Sequence, residues 1–300
     1  MHNIPAKTLR QNLFILHLTV FIWGFTGILG ALISIDAVRL VWFRVIIASL
    51  SLGIYFLISK THIKITKTQF LKFFFTGGIV AMHWIFFFHS IKVSNVSVSL
   101  ICLSSITLFI SILEPLIKNQ KISKGDIFIG LVIILGIYLI FKFESDYTLG
   151  IIFGLLSALA ASLFSTINST FAVKYNASII GFYELSGAVF WITLYRFLIG
   201  DLHAENLFLS PSDWFFLFLL GTVCTAMAYV AGVKVMQTIS AFKVALITNL
   251  EPLYGIALAF LIFGEKEQMT LGFYLGGILI LGAVFIYPWY KNYRQKPISK

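Results

Sequence analysis

Glu251 stands about ten residues inside a strongly apolar stretch, with Pro252 directly after it and Asn249 two residues before. At about 1.5 Å of helix rise per residue, its carboxyl group falls near the middle of a hydrocarbon layer about 30 Å thick. An ionisable side chain costs about 2.5–3.5 kcal/mol there on insertion scales, so its presence needs a reason. Pro252 has no N–H to donate, which frees a carbonyl nearby, and Asn249 adds donors and an acceptor. This trio could carry a proton or hold an amine. A structural acid hydrogen-bonded to neighbouring helices is the other reading. His83, beside Trp84 in another apolar stretch, could relay a proton, since imidazole changes charge near neutral pH. A neutral hydrogen-bonding histidine is its plainer reading. Trp23, next to Gly24 in mid-stretch, and Tyr229 and Tyr254 could wall a cavity or simply pack the core. Arg44 and Glu184 are the other charges of interest, each a short way into an apolar stretch.

The elements that must position these groups are ten apolar stretches. They run 13–34, 40–59, 70–90, 93–117, 127–143, 149–173, 179–199, 214–235, 241–263 and 271–289. About 20 apolar residues of helix cross a bilayer, so each stretch predicts a transmembrane helix. The expected fold is an all-α polytopic membrane protein, its ten transmembrane helices arranged as two inverted-topology five-helix repeats, 1–145 and 146–300. Five spans per repeat is an odd number, so the second repeat enters the membrane from the opposite side. Inverted repeats of this kind build transporters with a site between the halves. Composition agrees: the chain is 59% hydrophobic and 11% charged, against about 25% charged in soluble domains. Trp23, His83, Trp84, Tyr229, Asn249, Glu251 and Tyr254 then become candidate substrate contacts. His83 and Glu251 become candidates for proton coupling. Inversion sets Arg44 near one surface and Glu184 near the other, as candidate vestibule residues with no salt bridge between them.

A formal net charge of +10 invites a nucleic-acid reading, but the distribution opposes it. With alternating spans and a cytoplasmic N-terminus, 16 of the 22 Lys and Arg fall on the inner side, 5 on the outer, and Arg44 within a span. That bias is the positive-inside pattern and predicts both termini in the cytoplasm. Trp214, Trp289, Tyr290 and Tyr293 fall at interfaces, as belt aromatics do. The first apolar stretch is too long for a signal-peptide core and lacks a small-residue cleavage site, so it is expected to remain as a helix. Cys102 and Cys224 both lie within spans with no CxxC, so neither a disulfide, a metal site nor a cofactor is implied. There is no HExxH, P-loop or G-x-S-x-G, and the five Asp residues fall in loops or at span ends, which argues against an enzyme.

The halves also match residue by residue. The run Gly130 to Gly136 parallels Gly276 to Gly282 at an offset of 146, and Gln120-Lys121 parallels Glu265-Lys266 at 145. By the same offset Thr107 answers to Pro252, while Arg44 answers to Glu184 at 140. Small-residue faces, such as Gly24, Gly27 and Ala31, or Gly272 and Gly276, suit close helix packing within one chain, or a weak homodimer. Trp23-Gly24, His83-Trp84, the run from Asn249 to Tyr254, and Gly264-Glu265 together resemble the drug/metabolite transporter superfamily, in particular its EamA-type members. The resemblance spans about Asn12 to Pro288. It implies a bacterial inner-membrane permease or exporter of small metabolites, with its substrate cavity between the repeats. The first repeat departs from the pattern: Thr107 replaces a proline, and Asn119-Gln120 replaces Gly-Glu. The expected function is alternating-access transport of an amino acid or related amphipathic metabolite, with or without proton coupling. An uncoupled facilitator, or a membrane sensor or assembly protein, is the alternative.

Overall fold

A computed structural model describes residues 6–119 and 124–294. Gln120, Lys121, Lys296 and Lys300 lie outside that range, as do the side chains of Trp289, Tyr290 and Tyr293. Thirteen α-helices follow one another among the described residues. The first repeat holds α1 (Ala6–Leu32), α2 (Ala37–Ser59), α3 (Lys67–Val93), α4 (Val96–Leu103), α5 (Ile106–Ile117) and α6 (Lys124–Phe143). The second holds α7 (Thr148–Ala172), α8 (Ala177–Leu198), α9 (Pro211–Gly221), α10 (Ala228–Val235), α11 (Ala241–Thr248), α12 (Leu250–Phe263) and α13 (Leu271–Arg294). Consecutive pairs make single spans: α4 with α5, α9 with α10, and α11 with α12. Eight spans are long and apolar enough to cross a bilayer, and two shorter apolar stretches, Phe128–Phe143 and Leu271–Ile286, fill the fifth and tenth places. The chain is a multi-pass membrane protein.

Local chemistry sets the helix starts. Asp36 caps α2 through Val38 N and Arg39 N, Thr66 and Gln69 form a capping box on α3, and Ser210 with Pro211 opens α9. Large apolar side chains such as Phe14, Leu57, Phe197 and Leu261 point outward. In lipid that exposure costs nothing, so these helices are apolar on nearly every face.

The contacts repeat with inverted two-fold logic. The third span packs on α7 and α8, and the eighth, α9 with α10, packs on α1 and α2. The fourth span lies on α7 and the ninth on α1, while α6 lies against α13. Close approach requires glycine where backbones meet. A Cβ on Gly77 of α3 would collide with the Glu184 carbonyl of α8, and one on Gly276 would come within 2.6 Å of the Gly136 carbonyl. The GxxxG face of α13 thus packs inside the chain.

Both fourth spans break at matching places. Helix α4 ends before Ser104, and α11 ends before Asn249, 145 residues later. In the second repeat Pro252 removes the donor that the Thr248 carbonyl would use. The first repeat has no proline, but the Ser104 hydroxyl bonds back to the Leu100 carbonyl, a habit that bends helices. Asn249 Nδ2 donates to Thr107 Oγ1 at 2.7 Å, joining the two broken spans.

One face of the molecule gathers the end of α2, the start of α3 and the ends of α5, α7 and α10, with Lys60, Lys67, Lys118, Lys174 and Lys234. We call it the basic face. The opposite face is tied shut between repeats. Asp213 accepts from Ser34 N at 2.7 Å and Ser34 Oγ at 2.6 Å. Glu267 accepts from Val96 N and Ser97 N at 3.1 and 2.9 Å, and Glu144 accepts from Thr270 N at 2.8 Å.

Candidate functional site

A central cavity of about 90 Å³ lies between the repeats, lined from α1, α2, α3, α4, α5, α7, α10, α11 and α12. One buried water needs roughly 10–15 Å³ on this measure, so there is room for a small solute. The lining runs from Thr26, Arg44 and Phe87 in the interior to Met236 and Ala241 at helix ends on the basic face. Trp23, His83, Trp84, Tyr229 and Glu251 are all on the wall, and so is Arg44.

Arg44 is buried within the bundle, not spread toward an outer surface. Its guanidinium carbon lies 4.2 Å from the Trp84 ring centroid and 5.3 Å from that of Phe88. Nε donates to Thr225 Oγ1 at 2.5 Å, whereas Nη1 finds no acceptor among the described residues. Thr225 sits in a π-helical turn, Thr222–Met227, inserted between α9 and α10. Such wider turns re-aim side chains and recur at functional sites. Here the turn brings the Thr225 hydroxyl under the guanidinium.

Glu251 opens α12 and faces the cavity beside the break. It is 5% exposed, and its carboxyl makes no hydrogen bond or ion pair with any described residue. Pro252, in the first turn of α12, needs no intrahelical donor there. Arg44 and Glu251 therefore share one wall, opposite in charge, without a salt bridge.

His83 is fastened to α7. Its Nδ1 lies 3.0 Å from the Ser157 carbonyl, and Ser157 Oγ donates to the His83 carbonyl at 3.0 Å. Nδ1 also lies 2.8 Å from Ser157 Oγ, so both polar groups of Ser157 hold the ring on the cavity wall. Trp23 lays its ring against Gly232 of α10.

Three expected residues lie off the wall. Asn249 is buried between the broken helices, donating to Thr107 and to the Ala245 carbonyl. Tyr254 packs edge-on to Phe21 at 5.6 Å, beside Gly24. Glu184 sits behind Tyr229: its Oε2 accepts from Tyr229 Oη at 2.6 Å and from Asn168 Nδ2 at 3.1 Å. Thr225, Ser157 and Asn168, which make the polar contacts of Arg44, His83 and Glu184, carry no signal in one sequence. They are small polar residues in spans full of them. Asn168, the one amide in α7, was the most conspicuous.

The profile of the EamA-like transporter family matches residues 11–142 and again 148–287. An uncharacterized transporter of Archaeoglobus fulgidus is 26% identical over 153 residues, a match covering 51% of this chain and 53% of that protein. The match thus spans about half the length of this curated relative. A solved crystal structure shares the fold at a TM-score of 0.69, over 94% of this chain and 99% of that one, with 13% identity.

Proposed function

From the premise that the chain belongs to the EamA-like transporter family, we propose that it carries a small zwitterionic metabolite, of the amino-acid type, across the membrane by alternating access. One observation carries the substrate reading: Arg44, whose Nη1 finds no acceptor among the described residues, and the Glu251 carboxyl share the wall of one cavity without a salt bridge. A carboxylate on the substrate satisfies the guanidinium, and an ammonium satisfies Glu251. Charge-assisted hydrogen bonds of this kind are about twice as strong as neutral ones, and more so away from water. Trp23, Phe87 and Ile106 receive the apolar remainder. A phosphorylated solute fits poorly, since it brings two negative charges to a single arginine.

Glu251 is the proposed coupling carboxyl, because substrate ammonium and proton would compete for the same group. His83, on the wall of the same cavity, is the proposed partner in proton exchange. The basic face is the proposed cytoplasmic side of a bacterial inner membrane, and the cavity lining reaches that face. Direction then follows the gradients; export is the reading that the family resemblance favours.

The test is counterflow of radiolabelled neutral amino acids in proteoliposomes, with and without an imposed pH gradient. Saturable counterflow that Arg44→Ala abolishes supports the reading. If no neutral amino acid exchanges in a folded preparation, the substrate class is wrong.

A further inference from the structure

Glu184 is fully buried, and its surroundings are unusual for a carboxyl group. It enters none of the ion pairs among the described residues, Oε1 has no partner, and neither does the neighbouring Asn168 Oδ1. A full negative charge there, with two donors and no counter-cation, is costly, whereas a proton on the carboxyl removes the charge. The group is not isolated from the cavity. The Tyr229 hydroxyl accepts from Asn168 Nδ2 at 3.1 Å and donates to Glu184 Oε2 at 2.6 Å, and Tyr229 lines the cavity.

We propose that Glu184 is a second proton-carrying carboxyl of this chain, loaded from the central cavity through the Tyr229 hydroxyl. A hydronium ion in the cavity gives a proton to Tyr229 Oη and is left as water, while the proton already on Oη passes to Glu184 Oε2. The tyrosine ends neutral, and one proton has moved from cavity to carboxyl. Unloading reverses both transfers.

The repeat gives this pair a counterpart. Arg44 and Glu184 are each the eighth residue of their helices, α2 and α8. Trp84 and Tyr229 are 145 residues apart, and their rings meet edge-on at 5.7 Å. Arg44 on Trp84 and Glu184 on Tyr229 therefore approach the interface between repeats as mates of opposite charge. Titratable groups face this region from the packed elements as follows: Tyr229 from α10 touches Glu184, while Arg44 from α2 and His83 from α3 lie across the cavity wall. Helix α7 offers only Asn168, which does not titrate. Loading Glu184 changes the charge behind Tyr229 without occupying Glu251. The proposal rests on the transporter reading only for what the proton is exchanged against.

The experiment is pH-difference infrared spectroscopy of the full chain in lipid bilayers, reading the carbonyl stretch of protonated carboxyl groups. Wild type should show a band that Glu184→Gln removes and Glu251→Gln retains. Tyr229→Phe should keep that band but shift it, because the protonated carboxyl loses its hydrogen-bond partner Oη. A Glu184→Gln spectrum superimposable on wild type overturns the proposal. If that variant does not fold, an unshifted band in Tyr229→Phe overturns it instead. Amino-acid counterflow is measured on the same preparations. Intact bands without counterflow would sink the amino-acid reading and leave the proton site standing.

Discussion

Arg44 keeps its position through two unlike contacts, the flat face of Trp84 and the hydroxyl of Thr225. Lysine can reproduce neither the planar stacking nor the fixed Nε–H. Arg44→Lys should therefore keep the positive charge and lose substrate affinity by tenfold or more, given about 1.5–3 kcal/mol for a hydrogen bond to a charged group. Ligand-induced shifts in melting temperature across a concentration series of the transported amino acid would measure this. An unchanged affinity would remove Arg44 from the site. Glu251→Gln separates coupling from passage. It should abolish uptake driven by a pH gradient while retaining exchange of substrate for substrate at reduced affinity. Full pH dependence in that variant would move coupling away from Glu251.

At the scale of elements, the breaks in the two fourth spans explain how polar groups reach the middle of an apolar bundle. An unbroken helix would turn Glu251 and Thr248 by the usual 100° steps and satisfy their backbone internally. The break ends α11 and starts α12 at the cavity, and the Asn249–Thr107 bond locks it to the other repeat. Asn249→Ala should destabilise the protein by about 1–3 kcal/mol, because it strands the buried Thr107 hydroxyl, whereas the Ala245 carbonyl keeps the backbone N–H of residue 249. In a double-mutant cycle with Thr107→Ala the two losses should not add, which thermal unfolding in detergent can read. The α3–α8 contact makes a second prediction. Gly77→Ala places a methyl group against the Glu184 carbonyl, so it should cost about 1–3 kcal/mol by overpacking, whatever its effect on transport.

The whole molecule is asymmetric across the membrane in a way its repeats are not. Three carboxylates, Asp213, Glu267 and Glu144, bridge the repeats on the face opposite the lysines. The cavity lining runs toward the lysine-rich face. Alternating access then requires those bridges to part, and each contributes about 1.5–3 kcal/mol to the state described here. Asp213→Asn combined with Glu267→Gln should shift the population toward the opposite opening by tenfold or more. A cysteine at Thr26, with Cys102 and Cys224 replaced, would report this by its labelling with a membrane-impermeant maleimide. Labelling from the far side should rise in the double variant. Equal labelling from that side in both proteins would mean that the bridges do not act as a gate.

Much of this architecture was legible in the residue order because lipid simplifies the code. Without water to satisfy a backbone, an apolar run of sufficient length must be helical. Counting the runs yields ten spans, and the glycine runs from Gly130 and from Gly276 reveal their duplication. Glu251 and His83 stood out for the same reason, as ionisable groups where charge is expensive. What one dimension could not carry was which side chains meet. Asn249 and Tyr254 lie within five residues of Glu251 in sequence, yet 100° per residue turns them into other contacts. Arg44 looked superficial from its distance to a helix end, but the packing of α2 against α3 and the π-helical turn brings it into the cavity. Glu184 was met as a near-surface acid, and only the packing of α7, α8 and α10 encloses it with Asn168 and Tyr229. Periodicity and hydropathy determine the elements one at a time, whereas a site between two repeats depends on distances that exist only once the helices have packed.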